Sequence, residues 1–195
     1  MCTRWPPRRT SLYTWASRQS QRSLPRVVTD HALTHHPAVD LTIAVIGSGT
    51  ADPTLDALAE RVGALLAVAS ATVVCGGLGG VMAAVCRGAK TAGGRTVGIL
   101  PGATADAGNP WLDLALPTGM GEARNVLVVR AGRAVIAIGG GFGTLSELAF
   151  ARKLGTPVVG LRTWALDGVR PVDTPQAAVD QALAAARHPP APRAS

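Results

Sequence analysis

Three times along this chain a short aliphatic run without interruption ends in a glycine cluster, and each cluster opens a segment of helical periodicity. The first run is Leu41-Thr42-Ile43-Ala44-Val45-Ile46 before Gly47-Ser48-Gly49. The second is Thr72-Val73-Val74-Cys75 before Gly76-Gly77-Leu78-Gly79-Gly80, and the third is Ala134-Val135-Ile136-Ala137-Ile138 before Gly139-Gly140-Gly141-Phe142-Gly143. Apolar runs that do not alternate with polar residues suit strands buried on both faces, the condition of a parallel sheet. Repetition of strand, glycine turn and helix predicts an α/β architecture: a Rossmann-like, doubly wound parallel sheet with helices on both faces. The pattern runs over residues 41–187 and is read as a single domain, a size that supports one core.

Punctuation supports the same reading. Asp52-Pro53 offers a helix cap followed by proline at the first helical position, and Leu55, Leu58, Ala59, Val62, Leu65, Leu66 and Ala69 follow at helical spacing. Further strands are expected at Thr96–Leu100, Leu112–Leu116 and Pro157–Leu161, and further helices behind Gly80, across Glu122–Ala131 and through Glu147–Leu154. The stretch with Trp164 reads as a polar loop leading to Asp173-Thr174-Pro175, the start of an Ala-rich last helix that ends near Arg187.

Net charge is +7, but it is concentrated at the ends. Residues 1–40 hold six arginines against two aspartates, and Arg187 and Arg193 lie near the C-terminus, so the segment between is close to neutral. A basic footprint on a folded face is not indicated, and a nucleic-acid partner is not expected. Residues 1–40 lack periodicity and are read as a disordered basic extension, with an organellar transit peptide as the alternative; residues 188–195 are read as a disordered tail. Cys2, Cys75 and Cys86 show neither disulfide nor metal-ligand spacing, so no metal site is expected and a reducing, cytoplasmic setting fits. No apolar run reaches the ~20 residues of a membrane span.

The glycine clusters fall where chemistry is expected, because ligands of such sheets bind at the carboxyl ends of the strands. In Gly139, Gly140, Gly141 and Gly143, missing Cβ atoms let backbone N–H groups approach an anion, and the helix that follows adds its positive end. Thr144 adds a hydroxyl that could donate to the anion or cap the helix. Gly76, Gly77, Gly79, Gly80 and Met82 form a second candidate contact, and Gly47, Ser48 and Gly49 a third. There is no Gly-Lys-Ser/Thr of an ATPase loop, and Cys75 stands where a dinucleotide fold would place a ribose-binding acid.

Two charged residues complete the set. Arg124 sits near the start of its helix, where a cation opposes the dipole, which suggests a partner elsewhere such as a phosphate or carboxylate. Glu147 lies just past the glycine loop, where it can serve as a general acid or base. Together they could support cleavage of a base–ribose bond.

In these motifs the chain resembles the LOG-like Rossmann proteins, once labelled lysine decarboxylases. The resemblance rests on Gly139-Gly140-Gly141-Phe142-Gly143-Thr144-Leu145-Ser146-Glu147 preceded by Arg124-Asn125. Gly76–Met82, Gly98-Ile99-Leu100-Pro101 and Gly121-Glu122-Ala123-Arg124-Asn125 are similar to the branch of molybdenum-cofactor carrier proteins. The resemblance implies a bound phosphorylated small molecule, either molybdenum cofactor or a nucleotide, with no cofactor required otherwise. It also implies a homodimer or larger homo-oligomer, and the apolar run Val126-Leu127-Val128-Val129 is a candidate interface. The alternative it implies is a phosphoribohydrolase acting on nucleoside 5′-monophosphates, with Arg124 and Glu147 catalytic. Asn125 stands where those hydrolases carry lysine, which removes one phosphate-directed charge.

Overall fold

The computed structural model describes residues 41–188. The expectations for residues 1–40 and for the tail beyond His188 concern residues outside that range. Seven strands form one sheet: β1 (Thr42–Gly47), β2 (Thr72–Cys75), β3 (Arg95–Leu100), β4 (Leu114–Pro117), β5 (Ala134–Ile138), β6 (Val158–Leu161) and β7 (Val169–Val172). Their spatial order is β4-β3-β2-β1-β5-β6-β7, and every neighbouring pair is parallel. The chain winds outward from β1 to β4, then crosses back to β5 on the other side of β1.

Five helices cover the sheet: α1 (Pro53–Val68), α2 (Val81–Thr91), α3 (Asn125–Ala131), α4 (Phe142–Leu154) and α5 (Pro175–Arg187). Two buried clusters show the two covered faces. Ile43, Val45, Val73, Ile136 and Leu161 pack with α1, α2 and α5, while Ala44, Ile46, Val74, Val135 and Ala137 pack with α3 and α4. Alternate residues of one strand therefore enter opposite cores, which is why β5, and β1 beyond Thr42, contain no polar position. Every residue of β5 is buried. At the sheet edges β4 and β7 are largely exposed.

Local signals act as read. The Asp52 carboxylate accepts from Thr54 N at 2.9 Å and Leu55 N at 3.1 Å, capping α1. Thr174 Oγ1 caps α5 by accepting from Ala177 N. Three readings need correction. The helix expected across Glu122–Ala131 is broken, with a 3-10 turn at Gly121–Arg124 ahead of α3. Positive φ at Gly121 starts that tight turn, and the break places Arg124 at the joint. The fourth strand is Leu114–Pro117, shifted from Leu112–Leu116, because Asp113 turns its carboxylate onto Thr96 N. The polar loop around Trp164 contains β7, an edge strand whose Pro171 masks it in the sequence; proline is tolerated at a sheet edge, where its missing N–H costs no ladder bond.

The Val126–Val129 run is accounted for largely within the chain. Val128 and Val129 are fully buried in the core beneath α3, and Leu127 packs beside them.

Helices α1 and α2 cross at a contact that only glycine permits. A Cβ at Gly88 would collide with the Glu60 carbonyl oxygen, and one at Gly63 with that of Val85. Gly88→Ala must push the helices apart, and overpacking of this kind costs about 1–3 kcal/mol. Urea unfolding should show that loss; an unchanged midpoint would mean that the helix pair adjusts freely.

Candidate functional site

The reversal of strand order lies between β1 and β5; β1 ends in Gly47, and Gly139 follows directly on β5. Crevices at such a reversal are the usual ligand sites of open α/β sheets. The backbone after β5 turns through left-handed conformations at Gly139 (φ 55°) and Gly140 (φ 126°), then enters α4. A side chain at Gly140 would strike Thr144, and one at Gly139 would strike Leu55. By contrast, Cβ positions at Gly141 and Gly143 would meet nothing within 4 Å, so the loop's open side faces space. Among the described residues no side chain caps α4. Its first N–H groups and the positive end of its dipole remain available to an anion.

Two small cavities flank this turn. One, of about 160 Å³, is lined by Gly47, Gly49, Met82, Glu122, Arg124, Asn125, Gly143, Thr144 and Glu147. The other, of about 280 Å³, is lined by Ser48, Thr50, Ala51, Asp52, Leu55, Gly140 and Gly141. Most sequence-selected residues thus converge on one crevice from three loops and two helix starts.

Arg124 reaches this site because Gly76 lets it. The guanidinium lies over Gly76, where any Cβ would clash with its nitrogens, and the residue is 6% exposed. Its Nη1 donates to Asn125 Oδ1 at 3.0 Å, and Asn125 Nδ2 donates to Ser146 Oγ at 2.9 Å. Asn125 therefore ties the arginine to the start of α4, where Ser146 in turn donates to the Gly143 carbonyl at 2.7 Å. Asn125 also lines the cavity beside Arg124, as expected of a residue near the ligand.

Within the same cavity the Arg124 and Glu147 side chains stand 3.9 Å apart. That is a stretched pair in a buried setting. Burial raises the Glu147 carboxyl to about 7, and the nearby arginine only partly offsets it. Burial is also the first cause that lowers the Arg124 guanidinium, with Glu147 opposing it. Two polar atoms here are buried without a partner among the described residues, Arg124 Nε and Thr144 Oγ1. Buried donors without partners are costly, so a set of them in a cavity favours an acceptor-rich ligand. Thr144 does not cap its helix; its hydroxyl is the group left over.

Not every selected glycine lines a cavity. Gly77, Gly79 and Gly80 form a buttress: Gly80, at positive φ, packs on the Ser48 carbonyl, Gly79 approaches Gly49, and the Gly77 carbonyl accepts from Asn109 Nδ2 at 3.1 Å. Cys75 Sγ and Cys86 Sγ lie 3.5 Å apart in the core beneath this turn, fully buried. Residues the sequence reading passed over are Glu122 and Asp52. The former precedes Arg124 by two positions in the tight turn, and the latter's capping role hid its place on the cavity wall. Among the described residues no cluster of three or more His, Cys, Asp or Glu side chains could hold a metal ion, and no helix is long and apolar enough to cross a membrane.

Comparison with known proteins agrees with this architecture. The SLOG cluster4 family model matches residues 40–188. The chain belongs to that family. An uncharacterized protein of Archaeoglobus fulgidus is 42% identical over 144 residues, covering 73% of this chain and 95% of its own. The molybdenum cofactor binding protein of the phototrophic bacterium Rippkaea orientalis superposes with a TM-score of 0.71 at 34% identity, covering 74% of this chain and 96% of its own. The molybdenum cofactor carrier protein of Chlamydomonas reinhardtii superposes with a TM-score of 0.68 at 33% identity, covering 74% and 99%. DNA processing protein A of Helicobacter pylori, at 20% identity and a TM-score of 0.59, shares the fold. The resemblance drawn from the glycine and arginine motifs agrees with these neighbours.

The raised carboxyl of Glu147 gives a pH signature. Its folded-state value near 7 exceeds the unfolded 4.5, so the folded chain holds the proton more tightly, and stability falls as pH rises from 4.5 to 7. Glu147→Gln, which mimics the neutral acid, should gain on the native chain by roughly 3 kcal/mol across that window. Denaturant unfolding at pH 4.5 and 8 measures the difference; a constant gap would mean that Glu147 ionises normally.

Proposed function

We propose that this protein binds a phosphorylated small molecule, with the phosphate seated at the start of α4 between the Gly139–Gly143 loop and Arg124. The observation that carries this reading is the pair of partnerless buried atoms, Arg124 Nε and Thr144 Oγ1, on one cavity beside an uncapped helix start. Phosphate oxygens would satisfy both, and the open faces of Gly141 and Gly143 leave space for its approach. The cavity under Ser48 and Thr50 then takes the adjoining sugar-like or ring portion. The kinship to molybdenum cofactor carrier proteins supports a phosphorylated pterin as the natural cargo. These residues fit the phosphate end of that ligand; a nucleoside monophosphate fits the same donors. The small cavities favour such ligands over nucleic acid.

Calorimetric titration with 5′-AMP and with a pterin phosphate tests the reading. Arg124→Ala and Thr144→Val should each weaken binding, the former tenfold or more, without altering the far-UV spectrum. Equal affinity in both variants would remove the cavity from the site.

A second reading has its own support in Glu147, whose carboxyl near 7 is matched to proton transfer at neutral pH. It stands in the phosphate cavity, 3.9 Å from Arg124. On this reading the protein hydrolyses the base–ribose bond of a nucleoside 5′-monophosphate, Glu147 delivering or accepting the proton. A panel of nucleoside monophosphates scored for free base and ribose 5-phosphate decides between carrier and hydrolase. Turnover lost in Glu147→Gln establishes hydrolysis, and binding without turnover establishes the carrier.

A further inference from the structure

A cavity of about 560 Å³, over three times the volume beside Arg124, lies between β6 and β7 and shares no residue with the glycine-loop crevice. Its origin is topological. Strands β6 and β7 are parallel, yet only residues 162–168 join them, with no helix. A parallel crossover ordinarily takes a dozen or more residues and lays a helix on the sheet. Here a bare loop does so, and the space a helix would fill stays open.

The walls are chemically specific. Trp164 and Leu166 line the groove with Val169 and Pro171 and remain 39% and 36% exposed. Gly160 deepens the floor, since a Cβ there would meet Val169 and Thr163. Arg162 and Asp173 supply opposite charges on the lining. Arg162 also has a left-handed backbone, φ 52°, which costs energy for any residue bearing a Cβ. Among the described residues its guanidinium has no hydrogen bond or ion pair to explain that conformation. Strain retained at an unpaired, outward cation beside a tryptophan points to a ligand.

We propose that this groove is a second ligand site, one that takes a flat aromatic anion carrying an N–H donor. The ring stacks on Trp164 and Pro171, the anionic group meets the Arg162 fork, and Asp173 accepts the N–H. The volume lies within the range of small-molecule sites. The groove also borders the glycine loop, because Thr163 Oγ1 donates to the Gly139 carbonyl at 2.6 Å.

The probe is 8-anilinonaphthalene-1-sulfonate, which combines aromatic ring, sulfonate and N–H, titrated against the full-length chain by fluorescence. One saturable site is expected, weakened at least fivefold by Trp164→Ala and by Arg162→Gly. The second variant relieves the left-handed strain, so its Tm should hold or rise while binding falls, which separates a lost contact from a lost fold. Excess 5′-AMP should leave probe affinity within twofold. Unchanged affinity in Arg162→Gly, competitive displacement by AMP, or absence of saturable binding, as when a second copy closes the groove, would each overturn the proposal.

Discussion

The pairing of β1 with β5 sets the terms for everything else in this protein. Because the chain winds outward through β4 before returning to β1's other side, α1 and α4 leave neighbouring strands toward opposite faces. A crevice must open between them at the strand ends. The residues there cannot be ordinary. Gly47 lies against the Ile138 carbonyl and Val81, and Gly139 and Gly140 take left-handed turns that feed α4. The sheet register that buries the core thus also delivers unpaired N–H groups to the crevice mouth.

Within that crevice, desolvation is the dominant electrostatic effect. Arg124 and Glu147 are each 6% exposed, and at 3.9 Å their attraction does not repay the burial of both charges. The outcome is a carboxyl near 7 and an arginine whose Nε lacks a partner among the described residues. Such a pair contributes little to holding the fold together. On the proposed reading it receives a phosphate, whose charge complements Arg124 and whose approach favours the protonated form of Glu147. Asn125 and Gly76 hold the arginine in place, one by a hydrogen bond and the other by having no side chain.

Much of this was legible in the sequence, for identifiable reasons. The unbroken aliphatic runs of β1 and β5 and the Asp52 and Thr174 caps are strong local signals, and they gave the layers and the strand ends. The glycine loop, Thr144, Arg124 and Glu147 converge as their motif implied. What failed to show depended on tertiary context. Pro171 made β7 read as loop, although an edge strand tolerates it. The 3-10 turn at Gly121–Arg124 was hidden inside a helical pattern. The packing of Gly77, Gly79 and Gly80 on neighbouring chain was not visible either, because a glycine that admits a neighbouring backbone and one that admits a ligand look alike in sequence. The seven-residue crossover after β6 had no signature until β7 was visible.

The central claim is that the α4 start and Arg124 together form a phosphate seat. Backbone amide shifts of a ¹⁵N-labelled protein titrated with 5′-AMP test it most directly. The account predicts the largest changes at Gly140, Gly141, Phe142, Gly143 and Thr144, with the Arg124 Nε–H resonance moving alongside them. Changes confined to other surfaces, or none at saturating AMP and inorganic phosphate, would contradict it.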